Sequence, residues 1–239
     1  MANLEPLIQS IPVAPLKLAS LEGCRTLADQ VNNYLVSFRH ESPTNVGQAD
    51  SLQGYCADSY LLECECPRFG SGEGKGVLKE SVRGCDLFIM VDVTNYSLTY
   101  SVNGYENHMS PDNHYQDLKR IISAADGKAR RINVIMPFLY EGRQHKRSKR
   151  ESLDCALMLQ ELVDMGVSNI LTFDAHDPRV SNSIPLHGFD SFMPTYQFLK
   201  ALVNSVPDFV IDNDHLMIIS PDEGAMGRAF YFSNILGVD

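Results

Sequence analysis

DLFIMVDV, residues 86–93, is apolar at every position except its two aspartates. A strand with one wet face alternates polar and apolar residues. A nearly unbroken apolar run of this length is instead the pattern of a strand buried on both faces, in a parallel sheet with helices on either side. The sequence downstream alternates accordingly. PDNHYQDLKRIISAA (111–125) has helical periodicity with Pro111 and Asp112 near its start, and RINVIMPFL (131–139) reads as the next strand. SLDCALMLQELVDMG (152–166) is a helix, with Ser152 as its N-cap and Gly166 as its stop. NILTFDA, PTYQFLKALV, HLMIIS and EGAMGRAFYFSNIL continue as strand, helix, strand and helix. Upstream, LKLAS (16–20) is a short strand and LEGCRTLADQVNNYLVSF (21–38) a helix, while YLLECEC and GVLKESV are strands flanking the turn RFGSGEGKG (68–76). The expected class is α/β, with a mainly parallel sheet flanked by helices and right-handed crossovers.

Composition narrows the function. The chain has 239 residues, enough for one large domain or two small ones, and 44% of them are apolar. Thirty carboxylates against twenty Lys and Arg give a net charge of -10, which argues against nucleic acid as the main partner. No apolar run approaches the roughly 20 residues needed to cross a bilayer. MANLEPLIQSIPVAPLK lacks a basic segment followed by an apolar core, so no signal peptide is read and a cytoplasmic protein without membrane partners is expected. Cys64 and Cys66 fall on one strand face, but no second Cys or His pair accompanies them as zinc would require, so reduced structural thiols are expected. Residues 1–15 read as an extension, and residues 39–57 as a polar loop insertion.

In open parallel sheets, ligands gather where strands end and helices begin. Three polar stretches share that address: YEGRQHKR after one strand, DAHDPR after the next, and SPDEG after a third. Arg143 can fork two bonds to a phosphate, and Gln144 can both donate and accept. Five cations fall within the eight residues from Arg143 to Arg150. Cations close before a helix oppose its dipole, so an anionic ligand accounts for them better than a plain helix entry does. Asp174 and His176 share a face at a strand end and can approach one cation, or they can form an ordinary turn. Asp222 is either an N-cap or a ligand for metal or sugar at a helix start. The turn at 68–76 fits neither the Walker nor the dinucleotide glycine pattern. Phe69 could stack on a base and Glu73 accept from an amine, but a plain β-turn is equally compatible.

Together, RFGSGEGKGVLKESVRGCDLFIM, VIMPFLYEGRQHKR, ILTFDAHD and IISPDEGAMGRA, in this order, resemble the ribose-phosphate pyrophosphokinase (phosphoribosyl pyrophosphate synthetase) family. The likeness runs from about Leu16 to Asp239. It implies two phosphoribosyltransferase-like domains, here 16–185 and the start of a second over 186–239, assembled as homo-oligomers, usually hexamers. It also implies transfer of the diphosphoryl group of ATP to ribose 5-phosphate, with Mg2+. By position, Phe69, Ser71 and Glu73 fall in the adenine loop, which works across a subunit interface. Arg143 and Gln144 match the pair that contacts ATP, and His145, Lys146 and Arg147 follow them. Asp174, His176 and Asp222 match positions near the metal.

This sequence also departs from the pattern. Gly70 and Ser71 replace a Ser-Asp, and His145 stands where the family usually has Asp. The family's flexible Lys/Arg loop and its Thr-Gly-Gly-Thr sugar-phosphate loop have no counterpart through Asp239, so the catalytic residues are expected beyond it and turnover by this chain alone is not expected. The alternative is a non-catalytic relative that regulates or scaffolds a synthetase. A basic-loop nucleic-acid binder is disfavoured by overall acidity and by the lack of interleaved aromatics.

Overall fold

The computed structural model describes residues 12–41 and 54–239. Most of the expected 1–15 extension and of the 39–57 insertion lies outside these residues. The chain divides into two compact units after Phe192.

The first unit is built on six parallel strands: β1 (Leu16–Ser20), β2 (Leu61–Leu62), β5 (Asp86–Met90), β8 (Arg131–Ile135), β9 (Val167–Phe173) and β10 (Gly188–Phe192). Their spatial order is β10-β9-β8-β5-β1-β2, which puts DLFIM in the interior as its pattern requires. The polar start of β5 is explained by pairing across the sheet. Buried Asp86 accepts from Arg131 Nε at 2.9 Å and from Asn133 Nδ2 at 2.7 Å, so its charge is matched where water is excluded.

Helices cover both faces. α1 (Arg25–Glu41) follows a 3-10 turn and sets Ala28 against Leu18, Met90 and Cys24. α2 (Pro111–Ala124) and α3 (Asp154–Asp164) lie on the opposite face, where Leu118, Ile121, Leu159 and Leu162 meet Leu87, Ile89 and Val134. α2 begins as expected: the Ser110 side chain accepts from Asn113 N, and Pro111 follows in the first turn. α3 does not. Its cap position is Leu153 and makes no side-chain bond, because the Ser152 hydroxyl donates to Asp154 Oδ2 at 2.5 Å instead.

Two antiparallel pairs stand outside the main sheet. β3 (Cys64–Glu65) with β4 (Val77–Leu78) makes the expected arch around the glycine-rich turn, and β6 (Thr99–Val102) with β7 (Tyr105–His108) forms a hairpin the sequence reading missed. Gly76 lets the arch approach α2, since a Cβ there would lie 2.3 Å from the Arg120 carbonyl oxygen. β10 is also unanticipated. It carries the first unit past the expected 185/186 division, because Gly188–Phe192 completes the sheet edge beside β9.

The second unit, Met193–Asp239, contains α4 (Thr195–Ser205), a 3-10 turn at Glu223–Ala225 and α5 (Met226–Leu236). The strand expected at HLMIIS is not formed: a strand needs a ladder partner, and no strand occurs among the described residues of this unit. No helix among the described residues is long and apolar enough to cross a membrane. All six cysteines are free, as expected, and Cys56 is exposed.

Candidate functional site

The loop between β8 and α3 carries Arg143 to Arg150. It leaves the sheet through a tight turn in which Glu141 has φ 55°, Gly142 N donates to Leu139 O and Gln144 N to Glu141 O. Gln144 then closes the loop on itself. Its Nε2 donates to Ser152 O at 2.7 Å and lies 3.4 Å from Lys146 O, so its amide hydrogens are spent internally and Oε1 remains for a ligand. Arg143 is exposed, with its guanidinium 5.7 Å from the Phe138 ring centre. Lys146, Arg147, Lys149 and Arg150 are exposed too. Among the described residues, no ion pair engages any of these five cations, although the chain carries ten more carboxylates than Lys and Arg.

The neighbouring strand end supplies the opposite wall. β9 leads into Asp174, whose φ of 41° turns the chain sharply, and Asp174 N and Ala175 N are held by Phe192 O and Ser191 Oγ of β10. The two loops meet at His145 and His176, whose ring centres are 5.2 Å apart and tilted by 54°. His145 Nδ1 lies 3.1 Å from Arg143 O; a carbonyl only accepts, so Nδ1 carries the proton. Its Nε2 faces Asp177 Oδ2 at 3.4 Å, an ion pair only when the ring is doubly protonated. Asp177 is fixed by the side chain and backbone N–H of Arg179, which hold its carboxyl well below the usual carboxylate range.

The expected residues thus fall into three groups. Arg143, Gln144, His145, Lys146 and Arg147 lie on one sheet-edge loop, which meets the loop of Asp174 and His176 through the His145–His176 and His145–Asp177 contacts. Phe69, Ser71 and Glu73 sit on the arch: Ser71 Oγ donates to Glu73 Oε2 at 2.8 Å, Phe69 N to Glu73 O, and Phe69 is 53% exposed. Among the described residues, no hydrogen bond or ring contact joins these three to the His145–His176 pair. Asp222 lies in the second unit, where it caps the 3-10 turn by accepting from Ala225 N at 2.9 Å. Among the described residues, no three His, Cys, Asp or Glu side chains are grouped to hold a metal ion. A cation here would therefore need most of its ligands from a bound anion or water. Asp177 is the member that the sequence reading did not select. Its signal was weak: an acid beside His176, followed two positions later by Arg179.

A six-stranded parallel sheet with helices on both faces, and with basic and histidine-bearing loops meeting at its carboxyl edge, defines an open-sheet α/β protein with a candidate ligand site at that edge. The family profile described as the N-terminal domain of ribose phosphate pyrophosphokinase matches residues 16–166, and the chain belongs to this family. The ribose-phosphate pyrophosphokinase of Staphylococcus epidermidis is 28% identical over 180 residues, covering 74% of this chain and 50% of that protein. That of Corynebacterium ammoniagenes is 27% identical over 220 residues, covering 90% of this chain and 55% of that protein. The phosphoribosylpyrophosphate synthetase of Mycobacterium smegmatis shares the fold, with a TM-score of 0.69 at 23% identity over 93% of this chain and 61% of that one. The chain thus spans about half the length of the curated relatives it matches.

Proposed function

We propose that this chain supplies the nucleotide side of a ribose-phosphate pyrophosphokinase, the enzyme that moves the diphosphoryl group of ATP to ribose 5-phosphate and releases AMP. The observation that carries this reading is the set of five cations from Arg143 to Arg150, which no ion pair engages among the described residues, on the loop that meets His176 at the sheet edge. Arg143, Lys146 and Arg147 would balance phosphate charge, and Gln144 would accept through Oε1 while bracing the loop. Mg2+ supplies further charge neutralisation on the phosphates when bound. Asp174 would meet the cation directly and His176 through water, because magnesium favours oxygen ligands and retains much of its hydration. Asp222 is assigned near the metal and ribose phosphate through its family position. Phe69, Ser71 and Glu73 would reach the adenine of a neighbouring subunit in a homo-oligomer, taken to be a hexamer. No residue of this chain is assigned to gripping the sugar phosphate.

A non-catalytic relative is the second reading, favoured by Ser71. It stands where the family has an acid, and its hydroxyl occupies the Glu73 carboxylate at 2.8 Å. Expression of the full coding sequence separates the two. The first reading expects AMP from ATP only when ribose 5-phosphate is added, and a folded product giving no such AMP sinks it.

A further inference from the structure

Where β1 ends, the turn at Leu21, Glu22 and Gly23 lines a cavity of about 630 Å³ together with β6 and its flanking residues, the β3 side of the arch and α2. That volume suits a compound of one or two rings. The charges around it are already matched. Arg68 makes two 2.8 Å bonds to Asp117, which also takes Arg120 Nη1 at 2.6 Å; at the rim, Glu22 pairs with Arg25 and Glu65 with Lys79. Cys64 and Cys66 remain thiols, since burial pushes them up to about 11 and about 12, and their S–H groups face the Ser20 and Asp117 carbonyls. A charged ligand would lose hydration here without meeting an unmatched countercharge.

One polar group is left over. His114 lines the cavity and is 2% exposed. Its Nε2 lies 2.7 Å from Asn95 O and so carries the proton, which leaves Nδ1 as an acceptor with no hydrogen-bond partner among the described residues. Beside it, the Tyr100 ring with the Arg68 guanidinium 5.2 Å from its centre forms a flat wall suited to an aromatic face. We propose that this cavity binds a neutral, planar heterocycle whose ring N–H donates to His114 Nδ1. The cavity borders the glycine-rich turn through Arg68 but is lined by none of Phe69, Ser71, Glu73 or the 143–147 loop, so binding there is separable from ATP binding.

Indole and benzofuran have nearly the same shape and differ in the ring N–H, so they test the central contact. Binding of indole, benzofuran and adenine is measured by calorimetry, alongside nitrogen NMR of histidine-labelled protein. Indole and adenine are expected to bind and to move the His114 Nδ1 resonance. Benzofuran is expected to bind about tenfold more weakly, the worth of one hydrogen bond, and to leave that resonance in place. Thr99→Trp, placed on the exposed hairpin to fill the cavity, should abolish binding, and Tyr100→Ala should weaken it about tenfold. Excess ATP should not compete. The proposal is overturned if no probe binds at millimolar concentration, if indole and benzofuran bind equally, if Thr99→Trp leaves binding intact, or if ATP displaces the probes. Loss of ATP binding with indole binding retained would overturn the nucleotide reading alone.

Discussion

Asp117→Asn should be among the most damaging single substitutions in the first unit, and the cost follows from the geometry. Asp117 accepts three charge-assisted bonds, two from Arg68 at 2.8 Å and one from Arg120 at 2.6 Å. The Asp117 and Arg68 side chains are only 7% and 10% exposed. Removing the carboxylate leaves a desolvated guanidinium without its counter-ion, which costs about 3–5 kcal/mol. For a chain of this size each kcal/mol moves the midpoint by about 2–4 °C, so thermal unfolding should shift down by roughly 6–20 °C. Arg120→Met should cost less, about 1 kcal/mol, because the two-bond pair with Arg68 survives. Replacing both members, as Arg68→Met with Asp117→Leu, should recover much of the loss, since no deeply buried charge then lacks a partner. Calorimetry or circular dichroism of the four proteins reads this directly. A shift under about 2 °C for Asp117→Asn would refute the reasoning and show that the arch is held by its apolar contacts.

Gly76→Ala should destabilise the protein by about 1–3 kcal/mol, because the new Cβ would sit 2.3 Å from a backbone oxygen that cannot swing aside; an unchanged urea midpoint would contradict the close approach. Arg143→Ala should weaken magnesium-ATP binding about tenfold in calorimetry, and unchanged affinity would remove Arg143 from the site. The buried thiols predict alkaline sensitivity: burial raises Cys24 from 9.0 to about 12, so the unfolded chain ionises first. Stability from this group is fully present below pH 9.0 and is lost as pH rises towards 12, and a flat unfolding free energy across that window would refute it. Brief alkylation at pH 8 should label Cys56 and spare Cys24 and Cys155, as mass spectrometry would read; rapid labelling of Cys155 would contradict its burial.

The parallel sheet was legible because burial on both faces leaves a direct mark on composition, as in DLFIM at the sheet interior. The meeting of the two sheet-edge loops was legible for a topological reason: adjacent parallel strands release their loops at the same edge. Elements decided by pairing rather than by side-chain pattern were not legible. Tyr105–His108 is exposed throughout and becomes a strand only by its ladder to Thr99–Val102, around Asn103 and Gly104 at positive φ. β10 has no apolar run and exists as an edge partner of β9. HLMIIS erred the other way, with strand composition but no strand beside it. Ser152 had the right identity for a cap, but its hydroxyl turns to Asp154 and its carbonyl is taken by Gln144. Asp177 and Asp117 act through Arg179 and Arg68, and pairings of this kind cannot be read along the chain.

The setting of the cation cluster in the fold differs from the one its sequence suggests. In the sequence, Lys146 to Arg150 looked odd because they precede a helix whose N-terminus repels positive charge. In the fold α3 begins only at Asp154, Glu151 stands between the cations and that start, and Asp154 adds a carboxylate to the first turn. The dipole effect falls off within one turn, so most of that penalty is removed and with it the original reason for suspecting a ligand. A stronger reason takes its place. Asp177, the carboxylate facing the loop's histidine, is taken by Arg179 and pairs with His145 rather than with any of the five cations. Tyr140 and Ser148 use Asp112 and Glu151 for hydrogen bonds, so these acids hold the loop's shape without neutralising it. Among the described residues the densest run of positive charge in an acidic chain has no ion-pair partner, and it is on this that the proposed anionic ligand rests.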